Sequence, residues 1–191
     1  MRYNQEKLSH CIHESGHAVM AIHNGDYFHS ICVLSLKNKE SILSEKNGTF
    51  CCGYINGWSG RYYPYKYIKK TNKFNLKNRT NLNNKKEIKE LEKDCAVLYA
   101  GSTAELVLKK YYSIDMKEDS MEDGFEEDEK QMKDRIRYTR TENETKKTRD
   151  AGFKLAEKVM VANKEKLFEI AKKLYKKKKL YYNEIFKMLM N

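Results

Sequence analysis

One proline and nine glycines among 191 residues leave little in this chain to interrupt regular structure. With 34% of residues charged, that scarcity points to long, solvated helices rather than a turn-rich β architecture. No run of 18 or more apolar residues occurs, so no segment reads as a membrane-spanning helix, and no apolar segment reads as a secretory signal. There is no Gly-Lys-Ser/Thr phosphate loop, which excludes a Walker-type ATPase module in these residues. Five cysteines (Cys11, Cys32, Cys51, Cys52 and Cys95) form no Cys-x-x-Cys pair and leave one over, so a reducing, cytoplasmic setting is the simplest expectation. No internal repeat is evident.

What is present suffices for a core. At 40% hydrophobic residues, 1–191 read as one domain, with an irregular, basic, Tyr/Asn/Lys-rich insertion at about 57–84. The net charge of +11 raises nucleic-acid binding as a rival reading, since Arg61 to Lys86 interleaves Tyr62, Tyr63, Tyr65, Tyr67 and Phe74 with lysines. Lysine, asparagine and tyrosine are abundant throughout, however, and the run Lys172–Lys179 suits a solvated helix end. Nucleic acid is therefore a disfavoured partner.

The most informative residues are His13-Glu14-Ser15-Gly16-His17, which read H-E-x-x-H. On a helix, residues four apart lie about 40° apart around the axis, so both imidazoles can reach one metal ion. Glu14, roughly 100° from His13, can touch a metal-bound water without becoming a ligand. The spacing suits Zn²⁺, which lowers the pKa of its water to about 7. The helix itself is legible. Leu8, Ile12, Ser15, Val19 and Ile22 form a stripe along Asn4–Asn24, and Asn24-Gly25-Asp26 supplies a stop. Gly16 costs about 1 kcal/mol in helix propensity but lets another backbone approach closely.

A hydrolytic zinc site needs a third protein ligand. His23 lies at the right sequence spacing, but Met20 stands where a helix-breaking glycine would be needed, so His23 should point away. Cys11 falls on a different helix face and reads as a small core residue. Downstream, residues 115–129 carry nine carboxylates against one lysine, and spacing alone cannot choose among them. Strands are expected near Ile31–Leu36 and Thr49–Ile55, the latter as a candidate substrate-binding edge that includes Cys51 and Cys52. Helices are expected near Lys85–Tyr112, Phe125–Thr141, Lys146–Val161, Lys164–Lys178 and Asn183–Leu189.

Four blocks, in order, resemble the peptidase domain of the FtsH-type zinc metallopeptidases. Cys11–Val19 is similar to the family's H-E-A-G-H-A segment, and His29–Leu34 to the strand that follows it. Leu98–Leu106 resembles the A-G-R-A-A-E-E helix, and Gly124–Asp128 the G-x-x-x-D segment that carries an aspartate ligand. The closing helical pattern from Asn163 to Ile185 also resembles the family. The resemblance implies His13, His17 and Asp128 as zinc ligands, Glu14 as general base and Glu105 as a carboxylate supporting the ligands. It implies a mostly helical α+β fold, in which a zincin-like helix and small sheet precede a helical bundle. The expected activity is zinc-dependent, ATP-independent endopeptidase action on flexible or unfolded polypeptides, by a peptidase domain without the family's motor and membrane segments. A homo-oligomer, or a separate ATPase or delivery partner, is compatible with this. The alternative is a catalytically silent, metal-stabilised module that binds peptides or proteins.

Overall fold

The computed structural model describes residues 3–35, 58–64, 85–114, 128–129, 132 and 142–191. In chain order the elements are α1 (Gln5–His23), β1 (Phe28–Ser35), β2 (Trp58–Pro64), α2 (Lys85–Tyr112), α3 (Glu142–Ala162), α4 (Lys164–Lys177), β3 (Lys179–Tyr181) and α5 (Tyr182–Met190). Asp128, Glu129 and Met132 are helical as well. The result is a mostly helical α+β arrangement, with a small antiparallel sheet beside α1.

Helix α1 begins and ends where its sequence says it should. The Asn4 side chain accepts the Lys7 backbone N–H at 2.8 Å, satisfying one of the donors a helix start leaves over. At the other end Gly25 takes φ 75°, and the N–H groups of Gly25 and Asp26 donate to Ile22 O (3.0 Å) and Ala21 O (2.8 Å). That is a Schellman closure, and the left-handed residue it needs is a glycine. Between these caps the sequence suggests an amphipathic stripe, yet almost every residue from Lys7 to Ile22 is buried. Contacts with α2, α4, α3, α5 and the sheet surround it. A helix enclosed on several sides has no solvated face, so Lys7, Ser9, His13, Glu14 and His17 are buried polar groups that must find partners. Lys7 does so at the C-terminus of α4, donating to Tyr175 O at 2.7 Å with its ammonium 4.1 Å from the Tyr175 ring centroid.

The sheet has the order β2-β1-β3, antiparallel throughout. Strand β1 begins three residues before the expected Ile31, and its pairing with β2 runs from Phe28↔Pro64 to Ser35↔Trp58 with an irregularity between Phe28 and Ile31. Strand β2 corrects the sequence reading, which took 57–84 as irregular throughout. Its aromatic residues favour a strand, Gly60 weakens the pattern, and Pro64 is tolerated at an end of the strand, β2 being outermost among the described strands. The expected strand Thr49–Ile55 lies outside the described residues, as do Cys51, Cys52 and most of the expected helix Phe125–Thr141. Among the other cysteines, Cys11 and Cys95 are buried and outside any disulfide, while Cys32 is disulfide-bonded, which the expectation of a reducing setting does not foresee.

The short β3 was also missed. Helix α4 ends at Lys178, which adopts φ 66°, a left-handed conformation costing a non-glycine residue roughly 1–2 kcal/mol. The turn lets Lys178 O accept from Val33 N at 2.9 Å and sets Leu180 into the core beneath β1. Helices α2 and α3 pack closely. A Cβ on Gly152 would lie 2.6 Å from the Cys95 Cβ. The core joins Leu8, Ile12 and Met20 of α1 with Phe28 and Ile31 of β1, Leu108 of α2, Met160 of α3 and Leu174 of α4. Among the described residues, no helix is long and apolar enough to cross a membrane.

Candidate metal centre

Three side chains from two distant parts of the chain converge at the middle of α1. His13 Nε2 lies 3.1 Å from Asp128 Oδ2, and His17 Nε2 lies 3.2 Å from the same oxygen. The ring centroids are 4.7 Å apart at an interplanar angle of 75°. One potential ligand atom from each of His13, His17 and Asp128 falls within 4.8 Å of the others. Glu14, in the same helical turn as His13, is 3% exposed.

The outer nitrogens are held too. The Nδ1 of His17 lies 2.7 Å from Val97 O, a carbonyl that can only accept, so Nδ1 carries the hydrogen and Nε2 is left to face Asp128. The Nδ1 of His13 makes a longer contact of 3.5 Å with Glu105 Oε2, and the other Glu105 oxygen accepts from Ser9 Oγ at 2.5 Å. Each imidazole therefore has an acceptor at both nitrogens. Glu105 and Asp128 contact the two rings, and the buried Glu14 adds a third carboxylate whose charge acts on His17. Such a cluster requires positive charge, as protons on the rings or as a cation between them.

Electrostatics express the same demand. Burial by itself disfavours a charged His13, but the Asp128 and Glu105 carboxylates at its two nitrogens outweigh it and hold its pKa well above the usual imidazole value. His17 is also raised: burial opposes protonation, while the charge and hydrogen bond of Asp128 overcome it. For Asp128, burial pushes upward and the two imidazoles pull its carboxyl well below the usual carboxylate range. The donor set fits a divalent ion: two imidazole nitrogens and one carboxylate oxygen converge, with the far side of each ring held by an acceptor.

Glycines on α1 and α2 make the convergence possible. A Cβ on Gly16 would lie 2.3 Å from Ala100 O, so the two helices touch at backbone distance there. A Cβ on Gly101 would lie 2.4 Å from His13 Nε2, the very atom that faces Asp128. The close approach inferred from Gly16 is thus met by α2.

Asp128, which spacing could not select from nine carboxylates, is brought to the two histidines, and Glu105 reaches His13. His23 is exposed at the end of α1. Cys11 is a fully buried free thiol whose pKa burial pushes up to about 12, which suits a core residue and not a thiolate ligand. Sequence reasoning passed over Ser9 and Val97. Ser9 was findable, being four residues before His13 on the same helix face. The Val97 carbonyl carries no side-chain signal. No family model matches the chain, and no curated protein matches it either.

Proposed function

We propose that the chain is a zinc-dependent endopeptidase, of the kind its resemblance to FtsH-type peptidases suggests, acting on flexible or unfolded polypeptides. The observation that supports this most is the meeting of His13 Nε2, His17 Nε2 and Asp128 Oδ2 beside Glu14. Two imidazoles and a carboxylate also suit non-haem iron(II). The carboxylate of Glu14, next in sequence to a ligand on the same helix, favours hydrolysis, which needs a base beside the ion. Zinc, when bound, would supply a Lewis acid and a water acidified to a pKa of about 7.

His13, His17 and Asp128 would hold the ion, with Glu105 and the Val97 carbonyl fixing the ring orientations. Glu14 takes a proton from the attacking water and returns it to the leaving amine. Strand β2 ends the order of the described strands beside α1, and a substrate backbone would add to it as a further strand. Trp58–Pro64 joins Thr49–Ile55, which lies outside the described residues, as a candidate substrate edge.

The test is metal content and cleavage of unfolded casein by the purified chain, beside Glu14→Gln. One zinc per chain in both proteins is expected, with chelator-sensitive cleavage by the parent and a loss of about 10²–10⁴-fold in the variant. Zinc without cleavage by the parent would favour the silent binding module. Equal activity in the two proteins would remove Glu14 from the chemistry.

A further inference from the structure

Asp128 is the ligand that does not come from α1, and something must fix its turn of chain against the two histidines. We propose that Arg149 is the positioning residue for Asp128, acting through Glu129; this rests on the metal-centre reading. Arg149 Nη2 donates to Glu129 Oε1 at 3.0 Å, and Arg149 Nε donates to the Tyr99 hydroxyl at 3.1 Å. Glu129 follows Asp128 directly, so a restraint on one is a restraint on the other. Two bonds from one planar guanidinium fix its direction in a way a lysine ammonium would not.

The anchor point is what gives this ion pair its meaning. Tyr99 stands on α2 two residues after Val97, whose carbonyl holds His17, and two before Gly101, which lies against His13. Arg149 therefore ties the Asp128 turn to the same stretch of α2 that orients both imidazoles. Arg149 itself is carried by α3, which Gly152 lets pack closely against α2. A second anchor is Met132, four residues beyond Asp128 and 1% exposed in the core. Met132 sets the depth of the turn. Arg149 sets its rotation, which decides whether the Asp128 carboxylate faces the histidines. Glu129 and Arg149 are partly exposed, at 24% and 34% of their side chains, so an ordinary surface pair is the competing interpretation.

The full chain would be titrated with Zn²⁺ alone, in competition with a chelating dye, for the parent, Arg149→Met, Glu129→Gln and the double variant. Supporting contacts to metal ligands typically change affinity by about 10–100-fold, and each single variant should weaken zinc by that order. The double variant should be no weaker than either single one. In an Asp128→Ala background, Arg149→Met should have no further effect on zinc. Tyr99→Phe, which removes only the oxygen that orients the guanidinium, should weaken zinc less and serves as the readout if Arg149→Met does not fold. A parent that binds zinc with an unchanged affinity in Arg149→Met or, where that fails to fold, in Tyr99→Phe would overturn the proposal. So would an equal loss with and without Asp128, the mark of a general effect on the fold. A parent that binds no zinc would instead bring down the metal reading itself, and this inference with it.

Discussion

His13 and His17 belong to a helix buried on nearly every side, whereas Asp128 arrives from 115 residues beyond His13 and keeps 16% of its side chain exposed. The histidine half is set by helix geometry, by caps at both ends of α1 and by a glycine-lined contact with α2. Among the described residues, the aspartate half is supported by the buried Met132 and by the partly exposed Arg149–Glu129 ion pair. If the proposed ion binds, the pair of helix-borne histidines would decide whether it is held at all, and Asp128 would decide how tightly and in what orientation.

The largest expected effect follows from removing the pair. Zinc at about 1,000 times its Kd should add roughly 4 kcal/mol of stability. For a chain of this size that is a rise of about 8–16 °C in melting temperature. His13→Ala or His17→Ala should abolish the rise, while Asp128→Ala should reduce it and keep a remnant at high zinc. Calorimetry with and without zinc checks this. Equal behaviour of all three variants would erase the distinction between the halves.

The two glycines should differ in whether binding is lost along with stability. In Gly101→Ala the new methyl displaces the buried His13 ring, so zinc affinity should collapse and the metal-free fold should lose about 1–3 kcal/mol to overpacking as well. In Gly16→Ala the methyl meets the Ala100 carbonyl, and overpacking should cost about 1–3 kcal/mol, partly offset by about 1 kcal/mol of helix propensity. Denaturant melts and zinc titrations on the same samples distinguish the outcomes. A Gly101→Ala protein with parental zinc affinity would show that the ring has room.

The pH dependence should invert with metal. The raised His13 and His17 contribute stability that is complete below their unfolded pKa of about 6.5 and lost as pH rises through their folded values. The depressed Asp128 contributes stability present above about 3.9 and lost as pH falls through its folded value. Without metal, the site should therefore stabilise the fold most between about pH 4 and 6.5 and less toward pH 9. Zinc competes with those protons, so its added stability should grow over the same rise. Melting temperatures across this range, with zinc and with chelator, should diverge upward; parallel curves would contradict the charge balance described above.

The smallest effect belongs to Ser9→Ala. It removes one hydrogen bond to the buried Glu105, costing about 1 kcal/mol or slightly more. Zinc affinity should fall by less than in Arg149→Met. A larger fall would place the controlling support on the histidine side.

Much of the fold was legible. Helix α2 spans Lys85–Tyr112 as expected, and α1 lies between the two asparagines that were read as its ends. These elements carry local signals: caps, spacing and uninterrupted helix-forming residues. Strand β2 hides because its aromatic pattern is broken at Gly60 and surrounded by Tyr, Asn and Lys. Strand β3 hides because only Leu180, in three residues, is buried. The stripe on α1 was real but narrower than the buried surface, since burial depends on how many neighbours enclose a helix.

By itself the sequence determined that His13, Glu14 and His17 share one face region of a single helix, because residues four apart on an α-helix must be neighbours. It also determined that a second backbone could come close at Gly16. Only the tertiary structure decided which of nine carboxylates meets the imidazoles, which carbonyl fixes His17, and that Arg149 holds Glu129. Those choices depend on how α2, α3 and the Asp128 turn pack in three dimensions, and contacts across some hundred residues leave no periodicity in the chain to read.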